Sequence, residues 1–552
     1  MIKSFEPWYW LTEASKQYLE SGYISGDIKE HFWKMAEKAE KMLGKEGYAQ
    51  RLYDNITKGW YLLPTPGITN FLDEKESAIS CFGTYIDDTV LSLLLGDSEI
   101  GMMSKAGGGT SAWLNPIRPE GAPVSRGGFA DGPMKYVKRL QETTGWINQS
   151  NRRGKVAVWM DVENPEIHKF LTIKNKTSEI HEVPFGVTIG DEWIADMKNG
   201  DKEKQNIWAT IIKKKFETGF PYLFFKDNVN KVAPQVYKDK GMVINHSNLC
   251  TEIMLSNDDR SSFVCCIGAM NLVHYEEWKD TDAVEILVYL LDTFLTDFIN
   301  KNENNPLMQR PVNFAREQRA IGVGFSGWHS YLQSQMIPVE SMEAKWKNIE
   351  IFKLIGEQSK AASKKMALEY GKPLLLAEDK YEMRHVTTNA GAPNTSSGDI
   401  FGAWSQSIEL LLSNYFIKAL AKVKKEQKNY WLQQLLIEKG QDTKEVWDSI
   451  MYNNGSAQHL TFLSEQEKNV FKTATEVSPM ELLIQQAQRQ KYIDQGISFN
   501  TFVVAGTPAK EVSDYYLKAH EMGIKSLYYQ LNQNAAQQFT RKSMLECDFC
   551  AG

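Results

Sequence analysis

The chain has 552 residues, 42% of them hydrophobic and 24% charged, and a formal net charge of −6 at pH 7. This is a globular profile whose acidic balance lacks the basic footprint of a nucleic-acid partner. Length allows roughly three or four domains of ~150 residues or one large α/β unit, and no run stays apolar for the ~20 residues of a membrane span.

In chain order, the N-terminus MIKSFEPWYWLTEASKQYLE carries early acids and no small-residue cleavage site. It does not read as a signal peptide, so a cytoplasmic location is the default. Residues 28–43, IKEHFWKMAEKAEKML, have helical periodicity, with Gly44 placed as a C-cap. Between about 60 and 135, glycine and proline accumulate in LPTPGITNF and KAGGGTSAWLNPIRPEGAPVSRGGFADGP, the composition of loops shaped around a ligand. VAVWMDV (156–162) and VPFGVTI (183–189) read as strands. AVEILVYLLDTFL (283–295) is the most apolar helix-like run, broken by Glu285 and Asp292. EIFKLIGEQSKAASKKMALEY (350–370) reads as a helix closed by Gly371 and Pro373. Residues 409–450 read as helical and charged, with KALAKVKKEQK as a solvated face. Beyond about Ala535 the apolar periodicity is lost, as in a mobile tail. Strands alternating with helices predict an α/β fold with mostly parallel strands.

Several short motifs carry chemistry. In NHSNLCTEIM (245–254), Asn248, Cys250 and Glu252 alternate with Leu249 and Thr251. On an extended segment an amide, a thiol and a carboxylate would share one face. The six cysteines are Cys81, Cys250, Cys265, Cys266, Cys547 and Cys550. With no export signal, reactive or metal-binding thiols are favoured over a disulfide framework. Cys547 and Cys550 form a CxxC in the polar tail; the histidines make no paired metal spacing, so a redox-active dithiol is the better reading. IGVGFSG (321–327) is a literal G-x-G-x-x-G, but QRPVNFAREQRA before it is too polar for the strand a dinucleotide site requires. Close packing of a helix on a neighbour is the expected use of these glycines. GAPNTSSGDI (391–400) fits either an ordinary helix start or an anion cradle at the positive end of a helix.

In combination and order these segments resemble the large, catalytic α subunit of class I ribonucleotide reductase. The residues that carry the likeness are SAISCF, the Asn-x-Cys-x-Glu stretch, FVCCIGAMNL, the PNTSS loop, SLYYQ and the terminal cysteine pair, with RAIGVGFSGWHSYL and QKYIDQGISFNT beside them. The resemblance implies a ten-stranded α/β barrel of two five-stranded parallel halves, with a central finger loop. Residues 1–55 would be a helical lead-in, 56–534 the barrel and 535–552 a flexible redox-active tail. With only 80 residues before Cys81, the chain is similar to short forms that lack an N-terminal ATP-cone.

Under this resemblance Cys250 holds a transient thiyl radical, Glu252 is the base for the substrate 3′ hydroxyl, and Asn248 orients the sugar. Cys81 and Cys265 are the reducing pair. Cys265 is preferred to Cys266 because it stands six residues before Asn271, as the family's C…AMN pattern requires. Cys547 and Cys550 shuttle reducing equivalents from thioredoxin or glutaredoxin. Tyr528 and Tyr529 match the dyad that relays the radical from a separate small β subunit, whose metal cofactor makes it; no cofactor or metal is expected in this chain. Thr65, Ser80, Asn394, Thr395, Ser396 and Ser397 would hold the phosphates of a ribonucleoside diphosphate. Asp88, Arg118, Gln149 and Arg153 would contact a dNTP or ATP effector at the interface of an α homodimer. A cobalamin-dependent class II reductase is the alternative within enzymes.

Overall fold

The computed structural model describes residues 5–149, 152–420 and 423–532, with side chains at 148–153 and 417–426 left out. Three helices, Glu13–Glu20, Ile28–Leu43 and Tyr48–Thr57, begin the fold. Ile28–Leu43 starts where the Asp27 side chain accepts from the Glu30 N–H (2.8 Å) and ends at Gly44, which takes φ 61°. Phe32, Met35, Ala36, Ala39 and Leu43 form its buried stripe, at the spacing of one helical face. The Tyr48 hydroxyl donates to the Ile286 carbonyl (2.7 Å), tying these helices to Ala283–Asn302.

Two sheets carry the site. In the first, Thr110–Trp113, Val156–Asp161, Phe185–Ile189 and Tyr222–Phe225 run parallel in that spatial order. These runs are apolar and almost wholly buried, as parallel strands covered on both faces must be. Ser526–Leu527 adds to the Tyr222–Phe225 edge antiparallel. Single parallel bridges, Cys81↔Gly109 and Thr84↔Ala112, link the other edge to Cys81–Gly83. In the second sheet, Phe263–Asn271 pairs parallel with Ile321–Ser326 and antiparallel with both Tyr61–Leu62 and Cys81–Gly83. Parallel bridges Val323↔Asn389 and Gly391↔Ile497 extend it. The architecture is a mixed α/β barrel domain with mostly parallel strands.

The Ala283–Asn302 helix is buried nearly all round, which explains its apolar sequence. Among the described residues no helix is long and apolar enough to cross a membrane. Its buried Asp292 is neutralised in place: Oδ1 accepts from Arg319 Nε (2.8 Å) and Arg384 Nε (3.0 Å) and lies 3.0 Å from His385 Nε2.

Two sequence expectations fail here. Residues 409–450 are not helical throughout: Tyr415–Leu420 and Val423–Lys428 form an antiparallel hairpin before the helices Tyr430–Glu438 and Lys444–Tyr452. The Lys, Ala and Glu content favours helix, but Tyr415, Phe416 and Ile417 favour a pleated surface. Tyr415 packs into a small separate core with Leu432, Leu436, Trp447 and Phe471. IGVGFSG likewise supplies a strand, Ile321–Ser326, rather than a turn after one. Its glycines admit a neighbouring strand, not a helix: a Cβ on Gly322 would lie 3.0 Å from Ala390 Cβ, and one on Gly324 2.9 Å from the Ala390 carbonyl oxygen.

Candidate active site

The Asn248–Glu252 segment is not the extended strand its alternation suggested. It is a tight turn within an irregular run, with Thr251 at φ 70°. Asn248 Oδ1 makes the turn by accepting from the backbone N–H of Glu252 (3.1 Å) and Ile253 (3.2 Å). A side-chain amide that replaces a ladder partner in this way favours turn over strand. The three side chains still converge, because the turn folds Asn248 back onto Glu252.

The turn is fastened from several strands. Thr188 Oγ1 donates to the Asn245 carbonyl (2.8 Å), Ser498 Oγ to that of Cys250 (2.6 Å) and Ser526 Oγ to that of Thr251 (3.0 Å). The Gly496 N–H donates to the Glu252 carbonyl (2.7 Å). Glycine suits this approach, since a Cβ there would lie 2.5 Å from Met254 Cε and 3.0 and 3.1 Å from the Thr251 and Glu252 carbonyl oxygens, so the neighbours would have to shift.

Around the turn the polar contacts form one network. Asn248 Nδ2 donates to Glu252 Oε1 (2.8 Å) and to Cys81 Sγ (3.4 Å). Cys81 Sγ lies 3.7 Å from Glu252 Oε1, and Ser498 Oγ donates to Glu252 Oε2 (3.1 Å). Glu252 and Asn248 are buried, and Cys250 is half-buried. Burial raises the Glu252 carboxyl above its ordinary range, against the pull of the Asn248 and Ser498 hydrogen bonds. The Cys250 thiol is raised by burial and the Glu252 carboxylate, while its hydrogen bond with Tyr528 lowers it.

Cys81 and Cys265 stand directly opposite each other in the antiparallel pairing of Cys81–Gly83 with Phe263–Asn271. Opposed residues of that kind are about 4.5–5.5 Å apart at Cα, inside the ~4.4–6.8 Å range of a disulfide. Both are free thiols here, and Cys266, the next residue along the strand, is buried.

Behind Cys250 lies an aromatic group. The rings of Tyr528 and Tyr529 are 4.3 Å apart, and Tyr222 is 4.7 Å from the first and 5.1 Å from the second. Buried Lys215 donates to the carbonyls of Pro221 (2.8 Å) and Tyr528 (3.3 Å); burial lowers its ammonium to about 7.

The phosphate candidates sit at two helix starts near this centre. Thr65 opens the helix Thr65–Asn70, and Asn394, at φ 51°, precedes Thr395–Phe401, which packs on the Tyr61–Leu62 strand leading to Thr65. Asn394 Nδ2 donates to the Phe325 carbonyl (3.1 Å), Thr395 Oγ1 to Gln406 Oε1 (3.1 Å), and Ser397 is buried. Ser396 follows Thr395 in the same helix. Ser80 Oγ, next to Cys81, is buried with no protein hydrogen-bond partner. The effector candidates Asp88 and Arg118 form an ion pair with each other at the rim of a cavity of about 580 Å³ that also takes in Tyr136 and Arg139. Gln149 and Arg153 belong to a small antiparallel pair, Asn148–Gln149 with Arg152–Arg153, and their side chains lie outside those described. Cys547 and Cys550 also lie outside the described residues.

Tyr222, Gln495 and Ser498 are contacts that sequence reasoning missed. Tyr222 sits in the apolar run FPYLFF and looks like core, and the other two lie in YIDQGISFNT, noted only as a familiar segment. A second constellation is a decoy: Ser363 Oγ lies 2.8 Å from His385 Nδ1 and His385 Nε2 3.0 Å from Asp292, the order of a hydrolytic triad. All three are buried, and Ser363 Oγ accepts from two backbone N–H groups, so it braces the fold. Among the described residues no group of three or more His, Cys, Asp or Glu could hold a metal ion.

Three thiols around one buried carboxylate, backed by phenols packed edge to face, make this a redox centre built on sulfur. The family model described as "Ribonucleotide reductase, barrel domain" matches residues 79–204, 195–379 and 373–530. The chain is similar to the putative ribonucleoside-diphosphate reductase large subunit of Frog virus 3 (31% identity over 530 residues, 92% of each chain). It is also similar to the ribonucleoside-diphosphate reductase large subunit of Invertebrate iridescent virus 3 (28% over 595 residues, 92% of each). Among solved structures, the Actinobacillus ureae class Id ribonucleotide reductase alpha subunit superposes with a TM-score of 0.91 at 42% identity, covering 96% of this chain and 99% of that one. The chain belongs to the ribonucleotide reductase large-subunit family, through its barrel domain.

Proposed function

We propose that the chain is the catalytic subunit of a class I ribonucleoside-diphosphate reductase, an oxidoreductase that converts ribonucleotides to 2′-deoxyribonucleotides by a thiyl-radical mechanism. The observation that carries this reading is the meeting of Cys81, Asn248, Cys250 and Glu252 around one turn, with Cys265 opposite Cys81 and Tyr528 beside Cys250. The strand pairings support closure into a ten-stranded barrel: one half from 81–84, 110–113, 156–161, 185–189 and 222–225, the other from 263–271, 321–326, 387–391, 497–499 and 526–528. The Tyr528 N–H donates to the Phe499 carbonyl (2.9 Å), joining the last two segments. Within that barrel, residues 1–55 serve as helical lead-in and 535–552 as the redox tail.

In this mechanism the Cys250 sulfur abstracts the 3′ hydrogen of the ribose while Glu252 takes the 3′ hydroxyl proton. Asn248, already donating to Glu252, holds the sugar edge. Sulfur, base and amide act on one sugar because a single turn presents them together. The 2′ hydroxyl leaves as water and a C2′–H bond replaces the C2′–O bond; Cys81 and Cys265 supply the two protons and two electrons and end as a disulfide, and Cys250 returns the 3′ hydrogen to the sugar. Cys547 and Cys550 then reduce that disulfide and are reduced by thioredoxin or glutaredoxin. Ser80, Thr65 and the Asn394–Ser397 loop hold the diphosphate; the unpartnered Ser80 hydroxyl supports such a contact.

Tyr529 and Tyr528 relay the radical to Cys250 from a small β subunit, whose own metal cofactor generates it. The edge-to-face tyrosine dyad beside Cys250 and the class Id neighbour support this over a cobalamin-dependent enzyme. Asp88, Arg118, Gln149 and Arg153 read a dNTP or ATP effector, and exposed Val90 and Leu91 beside that cavity favour pairing of two α chains there. The test is reduction of CDP with and without a candidate β chain and with effectors varied. Activity that needs β supports the assignment; activity with adenosylcobalamin and no β overturns the class.

A further inference from the structure

The reading above makes Cys81 and Cys265 a disulfide after each turnover, but its two sulfurs are not equivalent. Cys81 is 8% exposed and faces the Asn248–Glu252 turn, whereas Cys265 is fully covered. Behind Cys265 stands buried Gln495, whose Nε2 donates to Cys265 Sγ (3.4 Å) and to the Ile321 carbonyl (3.2 Å). Gln495 Oε1 accepts from the Met254 N–H (3.1 Å). Rotating the amide by half a turn would set oxygen against the Ile321 carbonyl and nitrogen against an N–H, so the orientation is locked and Cys265 always meets a donor. The backbone is pinned too: Lys525 Nζ donates to the carbonyls of Ile493 (3.0 Å), Asp494 (2.8 Å) and Gln495 (2.6 Å).

Cys81 has the opposite surroundings. Glu252 Oε1 lies 3.7 Å from its sulfur, and the one donor, Asn248 Nδ2, is shared with that carboxylate. A negative charge on Cys81 would stand in direct contact with the Glu252 carboxylate, whereas one on Cys265, though also repelled by Glu252, would receive the Gln495 N–H. Burial lifts both thiols and the Glu252 carboxylate adds to the rise at each, second only to burial at Cys81; at Cys265 the Gln495 bond works against the rise and restrains it to about 12.

We infer that Gln495 fixes the polarity of disulfide reduction, so that an incoming thiolate attacks Cys81 Sγ and Cys265 departs as the thiolate. This rests on the redox-pair reading of the same site and adds its direction. The incoming sulfur bonds to Cys81, the Cys81–Cys265 bond breaks, and its electron pair leaves on Cys265, stabilised by the Gln495 N–H until protonated. A second thiol then attacks the incoming sulfur, freeing Cys81 and completing the transfer of two electrons from the reductant. Exchange runs faster toward the better-stabilised leaving thiolate and at the more accessible sulfur. Gln495 is a positioning residue for the leaving group and touches no substrate in this scheme.

The test uses the full chain with Cys547→Ser and Cys550→Ser, so that only an added thiol can act. After one turnover with CDP and the small subunit, the protein is mixed with 2-mercaptoethanol, quenched in acid at short times, alkylated and mapped by mass spectrometry. The mixed disulfide is expected on Cys81 and the alkyl group on Cys265, by about tenfold or more; equal labelling, or an excess of adduct on Cys265, overturns the polarity. In Gln495→Met, of similar length without the N–H, the reduction rate should fall roughly tenfold, the scale of one lost hydrogen bond to an anion, and the Cys81 preference should shrink. A slower rate with an unchanged adduct ratio would make Gln495 merely structural and remove it from the scheme. The mapping of the parent site needs no Gln495 variant, so poor folding of that variant does not shield the claim. If no Cys81–Cys265 disulfide forms in the single turnover, the functional reading itself falls; if it forms but opens the other way, only the polarity does.

Discussion

Replacing Glu252 with glutamine exchanges one carboxylate oxygen for an amide nitrogen and leaves the shape of the site intact. The remaining oxygen still accepts from Asn248 Nδ2, now at 2.8 Å, and the new amide donates to Ser498 Oγ, now at 3.1 Å, so no buried polar atom loses its partner. What is lost is the base. General-base assistance contributes about 10²–10⁴ in rate, or roughly 3–5 kcal/mol of barrier. The reductase assay with saturating CDP should show kcat lower by that factor. Burial raises this carboxyl, so the acidic limb of the parent's kcat/KM profile should rise through a midpoint above the ordinary carboxyl value of 4.5 and be absent from the variant. The stability effect has a definite sign. The fold binds this proton more tightly than the unfolded chain, so its stabilisation is present below 4.5 and declines as pH rises through the raised value. At neutral pH, Glu252→Gln should therefore melt no lower than the parent. A variant that keeps kcat within about threefold, against the 10²-fold or greater loss expected of a missing base, would refute the role.

Tyr528→Phe removes the hydroxyl beside Cys250 while keeping the ring contacts at 4.3 and 4.7 Å, so turnover should be abolished with little change in melting temperature. Substantial activity in that variant would remove the relay. With Cys547→Ser and Cys550→Ser together, the enzyme should make about one deoxynucleotide per site with a thioredoxin system yet cycle continuously with dithiothreitol, since a small dithiol enters directly. Equal steady rates with both reductants would dismiss the shuttle. Lys525→Met strips one donor from the carbonyls of Ile493, Asp494 and Gln495 and should lower stability by about 2 kcal/mol or more, read in a denaturant titration. An unchanged midpoint would show that those carbonyls find other partners.

Much of the fold was legible because local chemistry and tertiary packing agree. The helix at 28–43 carries its own cap and stripe, and the strands at 156–161 and 185–189 are apolar runs that only a doubly covered sheet can use. The hairpin at 415–428 was misread because helix-favouring lysines and alanines outnumber its few strand-favouring residues, and a small core around Trp447 and Leu432 decided the outcome. The glycines of IGVGFSG were seen, but which neighbour they admit is a matter of register with Ala390.

At the site, residue types and spacings by themselves determined that Cys250 sits between an amide and a carboxylate, while the resemblance to the reductase family implied that Cys81 and Cys265 belong with it. Chain order carries that information because the reacting groups must be present whatever the backbone does. Only the tertiary structure decided that Asn248 and Glu252 meet through a turn, that Tyr222 joins the two phenols, and that Gln495 and Ser498 grip the centre from a segment more than 200 residues away. Those contacts join residues that are neighbours only once both sheets are assembled, and no local periodicity encodes a partner that distant.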